Sequence, residues 1–334
     1  MNRTKVGVVG LGWVAQVVHL PILKKLPEAD VVAVCDLLKD RARLVSEKFG
    51  VKRYYTSVEE MLGSEEMDAV IICTPTDAHR EAAIAALRAG KDVLVEKPIA
   101  PTHKDAAEIA QVARETRRKV MVGMNHRFRP DAMILKTFVD GRELGDIFYT
   151  RVGWLRRRNF DTGWLTQKHK SGGGVLLDLG IVILDMAFWL NGFPKPRSVR
   201  ATHFSHTTKG VEDTSLLSVT TEQGTVLSID VSWSMCMQDD VYYCQVFGTE
   251  GTASLSPFRI NKQLHGNFVN VAPEKLDPPE RVFKRSYENE IRHFLSAVRG
   301  IHPLLSNAEE AVQRMLVVEA AYKSARTKKE VLLH

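Results

Sequence analysis

The segment KVGVVGLGWVAQ, Lys5 to Gln16, constrains the fold more than any other in this chain. Val6, Val8 and Val9 read as a buried strand, and the run ends at Gly10 and Gly12, with Ala15 completing a G-x-G-x-x-A turn into a helix. The first glycine allows a tight turn, the second lets the backbone approach a pyrophosphate, and the small Ala15 lets the helix pack closely on its strand. A phosphate would then meet the free N–H groups of the helix start. Gly10, Gly12, Trp13 and Val14 are therefore the expected cofactor-binding residues of this turn.

The next apolar run, DVVAVCD, ends in Asp36, about 20 residues beyond the turn, where an acid accepts hydrogen bonds from ribose hydroxyls. That favours NAD; Lys39 and Arg41 nearby leave NADP open as a second cofactor. Strand and helix patterns then alternate: DAVIICTP before DAHREAAIAALRAG, KDVLVEKP before HKDAAEIAQVARET, then KVMVG. The alternation predicts a doubly wound parallel sheet. Ligands of such sheets sit at the carboxyl ends of the strands, so Thr74 and Pro75, Glu96 and Lys97, and Asn125 are expected at one crevice, with His79 in the helix after Pro75. A lysine at a strand end can hold a substrate oxygen and help move its proton.

At 334 residues the chain is expected to form two domains, a dinucleotide-binding domain over 1–124 and a substrate-binding and oligomerisation domain over 125–334. Its N-terminal residues lack a cleavage pattern, and no apolar run is expected to reach the roughly 18 residues of a membrane span, so a cytoplasmic protein without membrane contact is expected. Cys35, Cys73, Cys236 and Cys244 show no metal-ligand or disulfide spacing, and no metal site is expected. The net charge of +6 favours acidic small molecules over nucleic acid, because basic runs such as Arg117–Lys119 end a helix and complement its dipole.

Further along, SGGGVLLDLGIVILDMAFWL, Ser171 to Leu190, places two acids in an otherwise apolar helix. At about 3.6 residues per turn, Asp178, Val182 and Asp185 share one face. In TVLSIDVSWS, Leu227, Ile229, Val231 and Trp233 alternate with Ser228, Asp230, Ser232 and Ser234, as in a strand with two distinct faces.

Together the glycine turn, TPTDAHREAAIAALRAGKDVLVEKPIA, VGMNHRFRP, GWLTQKHKSGGGVLLDLGIVILD, VEDTSLLSV, VFGTEGTASL and NEIRHFLSAVRG resemble the Gfo/Idh/MocA family of oxidoreductases, over nearly the whole chain. The resemblance implies an N-terminal Rossmann domain and a C-terminal α/β domain with an open, mostly antiparallel sheet that often buries one face against another subunit. A homodimer or homotetramer is therefore expected. It also implies catalytic roles for Lys97 and Asp178 in hydride transfer between a nicotinamide and a secondary alcohol of a sugar, inositol or related polyol. The family's histidine, four residues beyond the aspartate, is here Val182, which cannot take a proton.

His126 and His169 are near this region in sequence, but a loop histidine is by default solvated, and proton relay by Lys97 with Asp178 is the preferred route. Asp185 reads as mainly structural. Arg127, Trp164, Lys168, Asp178, Val182 and Lys97 are the expected substrate-binding residues; Trp164 and Lys168, with Arg156, Arg157 and Arg158, suit a sugar, polyol or sugar acid through stacking and charged hydrogen bonds. Two alternatives stay open: an NAD- and sugar-binding sensor or regulator with little or no turnover, for which Val182 is the main argument, and an enzyme that retains its NAD and recycles it.

Overall fold

The computed structural model describes residues 3–157, 163–273 and 277–333, apart from the side chains of Trp164 and Pro279. The chain forms two compact units, one of Met1–Asn125 with Tyr287–Val312, the other of His126–Ser286 with Gln313–His334.

Among the described residues, the first unit holds a parallel sheet of β1 (Thr4–Val9), β2 (Ala29–Cys35), β3 (Arg53–Tyr55), β4 (Ala69–Ile72), β5 (Asp92–Val95) and β6 (Val120–Val122), in the order β3-β2-β1-β4-β5-β6. The order reverses between β1 and β4, which opens a crevice at their carboxyl ends. Val8 pairs with Val34 on one side and Ile71 on the other, and all three are buried. Strands covered on both faces need such continuous apolar runs.

The segment 287–312, expected with the rest of 125–334, packs instead with the first unit. β6 is an edge strand, and its exposed backbone groups need partners. The Val122 N–H donates to the Ser306 carbonyl at 2.8 Å, and the Ser306 hydroxyl donates to the Val122 carbonyl at 2.8 Å. Lys119 Nζ donates to the carbonyl of Ala297 at 2.6 Å, where the helix Pro279–Val298 ends and its dipole favours a cation.

The second unit carries, among the described residues, nine strands: β7 (Ile147–Arg157), β8 (Pro196–Phe204), β9 (Thr214–Thr221), β10 (Val226–Met235), β11 (Val241–Gly248), β12 (Gly251–Leu255), β13 (Arg259–Leu264), β14 (Asn267–Asn270) and β15 (Val331–Leu332). Their order is β14-β13-β12-β11-β7-β10-β9-β8-β15, antiparallel except for β7 beside β10. Leu227, Ile229, Val231 and Trp233 of β10 are buried, as their alternation predicts.

One expectation about apolar runs is overturned. The stretch Lys168–Leu190 is long and apolar enough, by length and composition, to cross a membrane, yet 94% of its most apolar window is buried inside the protein. It is a core element, built from the short helix Lys168–Ser171, the three glycines, a π turn over Leu176–Gly180 and the helix Ile181–Leu190.

Candidate functional site

In the first unit the strand ends are tied to one another through the expected residues. Gly10 has φ +81°, and a Cβ there would lie 2.5 Å from the Thr74 nitrogen, so only glycine lets the β1 and β4 ends approach this closely. A Cβ on Gly12 would meet nothing within 4 Å, and the indole of Trp13 beside it is 68% exposed. Val14 follows, half-buried, before the π turn Ala15–His19. The Asp36 carboxylate accepts from the Leu11 N–H at 2.9 Å on Oδ2 and from the Leu38 N–H at 2.9 Å on Oδ1. Arg41 Nη1 lies 3.4 Å from the same Oδ2. Open space beside Gly12, a glycine turn locked to β4 and an acid fixed at the end of β2 fit a dinucleotide.

Pro75 leads into the turn Thr76–Ala78, and Asn125, 8% exposed, opens the turn Asn125–Phe128 after β6. His79, expected to touch the cofactor, is a buried strut. Its Nδ1 lies 2.8 Å from the Pro98 carbonyl oxygen and its Nε2 2.9 Å from that of Thr74, so the ring joins the β4 and β5 ends and leaves neither nitrogen for a ligand. Burial lowers its pKa, against the pull of both carbonyls and of Glu96.

Glu96 meets a residue that the sequence reading missed. His19 Nε2 lies 2.7 Å from Glu96 Oε1, and Glu96 Oε2 accepts from the Lys97 N–H at 3.3 Å. Burial acts to raise the Glu96 pKa, but the hydrogen bond and charge of His19, then Lys97, outweigh it and leave the carboxyl below its ordinary value. Lys97 follows directly on this pair, half-buried, with a cis peptide to Pro98.

In the second unit the two acids of the apolar helix have separate environments. Asp178 lies in the π turn Leu176–Gly180, and Val182 and Asp185 lie in the regular helix Ile181–Leu190 that follows it. Asp178 is half-buried, and its Oδ2 accepts from the indole Nε1–H of Trp233 at 3.1 Å. Val182 is 5% exposed. Asp185 lies in the core, bound twice by Arg127, at 2.8 and 2.6 Å, and once by Arg314 at 2.5 Å. Arg127 is thus corrected from a substrate contact to a fully buried ion-pair partner.

Lys168 is exposed at the start of its short helix, as is His169. The Arg156 side chain reaches Asp240 Oδ2, and the backbone N–H of Arg157 donates to Asp240 Oδ1. Arg158 and the Trp164 side chain lie outside the described residues. His126, expected in solvent, is buried against Trp154 and Tyr242, with ring centroids 5.2 and 5.6 Å away.

Two of the three glycines are explained by what passes over them. A Cβ on Gly173 would lie 2.0 Å from the Tyr322 hydroxyl, and one on Gly174 2.0 Å from the Glu212 carbonyl oxygen. Nothing in the local sequence announces Glu212 or Tyr322. Trp233 did carry a signal, because a buried indole has one N–H donor that must find an acceptor.

The family profile described as "Oxidoreductase family, NAD-binding Rossmann fold" matches residues 4–124, and its companion, "Oxidoreductase family, C-terminal alpha/beta domain", matches residues 136–333. The chain belongs to the Gfo/Idh/MocA family. Among its relatives, D-glucoside 3-dehydrogenase of Escherichia coli K12 is 30% identical, over 97% of this chain and 95% of that protein. D-apiose dehydrogenase of Paraburkholderia graminis is 27% identical, over 100% of this chain and 90% of that protein. The crystal structure of GenD2 from gentamicin A biosynthesis, in complex with NAD, superposes with a TM-score of 0.85 at 28% identity, covering 100% of this chain and 97% of that one. As a Gfo/Idh/MocA protein the chain uses NAD, which when bound supplies the hydride-carrying nicotinamide; its own residues must hold the dinucleotide and manage the alcohol proton.

Proposed function

We propose that this chain is an NAD-dependent dehydrogenase acting on a CH–OH group of a sugar or polyol, with Lys97 and Asp178 as the residues that act on the hydroxyl. Oxidation sends a hydride to the nicotinamide and leaves a hydroxyl proton to be removed. The observation that carries this reading is the contrast between the two helix acids. Asp185 is held in the core by two buried arginines, whereas Asp178 is half-buried and accepts from the Trp233 indole. Relatives that act on a D-glucoside and on D-apiose support the sugar class.

The test is NADH formation across a panel of sugars, polyols and sugar acids, with Lys97→Ala and Asp178→Asn beside the wild type. Turnover should fall by about 10²-fold or more in each variant, while NAD affinity stays within about threefold in both. Unchanged turnover in either variant removes that residue from the mechanism. Val182 supports a second reading: NAD and sugar binding by the wild type with no NADH formed from any substrate would make the chain a sensor.

The same proposal includes a homodimer or homotetramer formed through the outer face of the nine-stranded sheet, in the cytoplasm. On that face Tyr149 stacks on Phe247 at 5.4 Å, Tyr243 crosses Gly153 to donate to Asp230, and Leu216 is 41% exposed. Free thiols at Cys35, Cys73, Cys236 and Cys244 suit a reducing compartment. Light scattering should give a multiple of the 37.5 kDa chain, and Leu216→Asp should shift it toward the monomer.

A further inference from the structure

We infer that Glu212 and Trp233 are positioning residues that form one frame around the head of the triple-glycine helix and fix the direction of the Asp178 carboxylate. The inference rests on the reading of Asp178 as a residue that acts on substrate.

Glu212 holds the helix start with both its backbone and its side chain. Its carbonyl accepts from the Val175 N–H at 2.9 Å, and its Oε1 accepts from the N–H groups of Gly174 at 3.1 Å and Leu176 at 3.0 Å. These amides lie in the first turn, where a helix has no acceptors of its own and a negative charge complements its dipole. The carboxylate of a residue 38 positions away in sequence thus serves as the cap. Tyr322 fixes it from the other side, donating to the same Oε1 at 2.8 Å. Burial, then the charge of Glu212, keeps the Tyr322 hydroxyl protonated and therefore a donor.

The frame closes through the next residue. The Asp213 carbonyl accepts from the Trp233 N–H at 2.8 Å, and the Trp233 indole, 5% exposed, donates to Asp178 Oδ2 at 3.1 Å. One connection therefore fixes where the helix begins, and the other fixes where its first acid points. An indole N–H only donates, so a buried indole needs an acceptor, and the Asp178 carboxyl oxygen supplies it. The π turn Leu176–Gly180 carries Asp178 between these two anchors. Glycine is required at 173 and 174 because the frame occupies the space a side chain would need.

Two measurements test this. In steady-state kinetics, Trp233→Phe should lower kcat about 10- to 100-fold and leave the KM for NAD unchanged. Glu212→Ala and Tyr322→Phe should lower kcat in the same way, whereas Glu212→Gln, which keeps an acceptor oxygen, should recover most of the loss.

The second measurement needs no substrate. With five tryptophans in the chain, the ¹⁵N indole resonance missing from Trp233→Phe identifies Trp233. In Asp178→Asn this resonance should shift, because an amide replaces the carboxylate that accepts from the indole N–H. A Trp233 resonance indifferent to Asp178→Asn, or a Trp233→Phe variant with wild-type kcat, overturns the frame. A resonance that shifts in Asp178→Asn with turnover retained upholds the contact and overturns instead the catalytic reading of Asp178.

Discussion

Arg127 meets Asp185 through two hydrogen bonds, Nε to Oδ2 at 2.8 Å and Nη2 to Oδ1 at 2.6 Å, with neither side chain more than 1% exposed. Arg314 binds the same Oδ1, and the Phe193 ring faces both guanidinium groups, at 4.7 and 5.9 Å. Removing the acid leaves two cations in the core, and breaking a buried pair this way costs about 3–5 kcal/mol. Asp185→Asn should therefore lower unfolding stability by several kcal/mol in urea, while Asp178→Asn should change it by less than about 1 kcal/mol. Equal losses in the two variants would erase the division of labour between these acids.

Cofactor choice turns on Asp36. Its carboxylate is occupied by the Leu11 and Leu38 amides and restrains Arg41, whose side chain is 45% exposed. Asp36→Ala should weaken NAD by about 1–3 kcal/mol through lost charged hydrogen bonds. It also releases Arg41 toward a 2′-phosphate, so NADP should weaken less or gain. Calorimetric titration of both dinucleotides checks this; wild-type protein that prefers NADP by tenfold would remove the ribose role.

The His19–Glu96 pair sets an acid limit. The folded-state pKa of Glu96 lies below its ordinary 4.5, so the stability this group supplies is complete above that value and is lost as pH falls through the lower folded one. His19→Leu leaves burial unopposed by the imidazole, the Glu96 pKa rises, and the ionised carboxylate becomes destabilising at pH 7. The stability gap between wild type and variant should be widest near neutrality and close as the pH falls toward 4. A gap independent of pH would mean that the histidine acts by packing alone.

Much of this was legible in the sequence, for physical reasons that differ by element. Gly10, Gly12 and Asp36 could be placed because a phosphate-binding turn leaves local marks, and the alternation from Leu227 to Trp233 marked a strand with a buried face. Arg127 and His79 were misjudged because position in a motif does not reveal burial, and both spend their donors on the protein. Glu212 and Tyr322 reach the glycines across long sequence separations, which no local pattern records. The π turn that carries Asp178, just ahead of the regular helix that holds Val182 and Asp185, leaves no mark in the apolar pattern of the sequence.

That turn bears on Val182, the position where the family resemblance implies a proton-accepting histidine. Val182 is 5% exposed and begins one residue into the regular helix Ile181–Leu190, immediately after the π turn that carries Asp178. Val182→His should supply a base at the family's position, and general-base assistance contributes about 10²- to 10⁴-fold. Burial lowers an imidazole pKa, so the gain should be complete at and above the ordinary histidine value of about 6.5. NADH formation on a sugar that the wild type oxidises slowly, followed across about pH 6 to 10, is the measurement, a range that spans the histidine and lysine values. Asp178→Asn in the Val182→His background should return the rate toward that of wild type, if the new imidazole depends on the carboxylate. A fast wild type that Val182→His slows would show a site rebuilt around the apolar side chain.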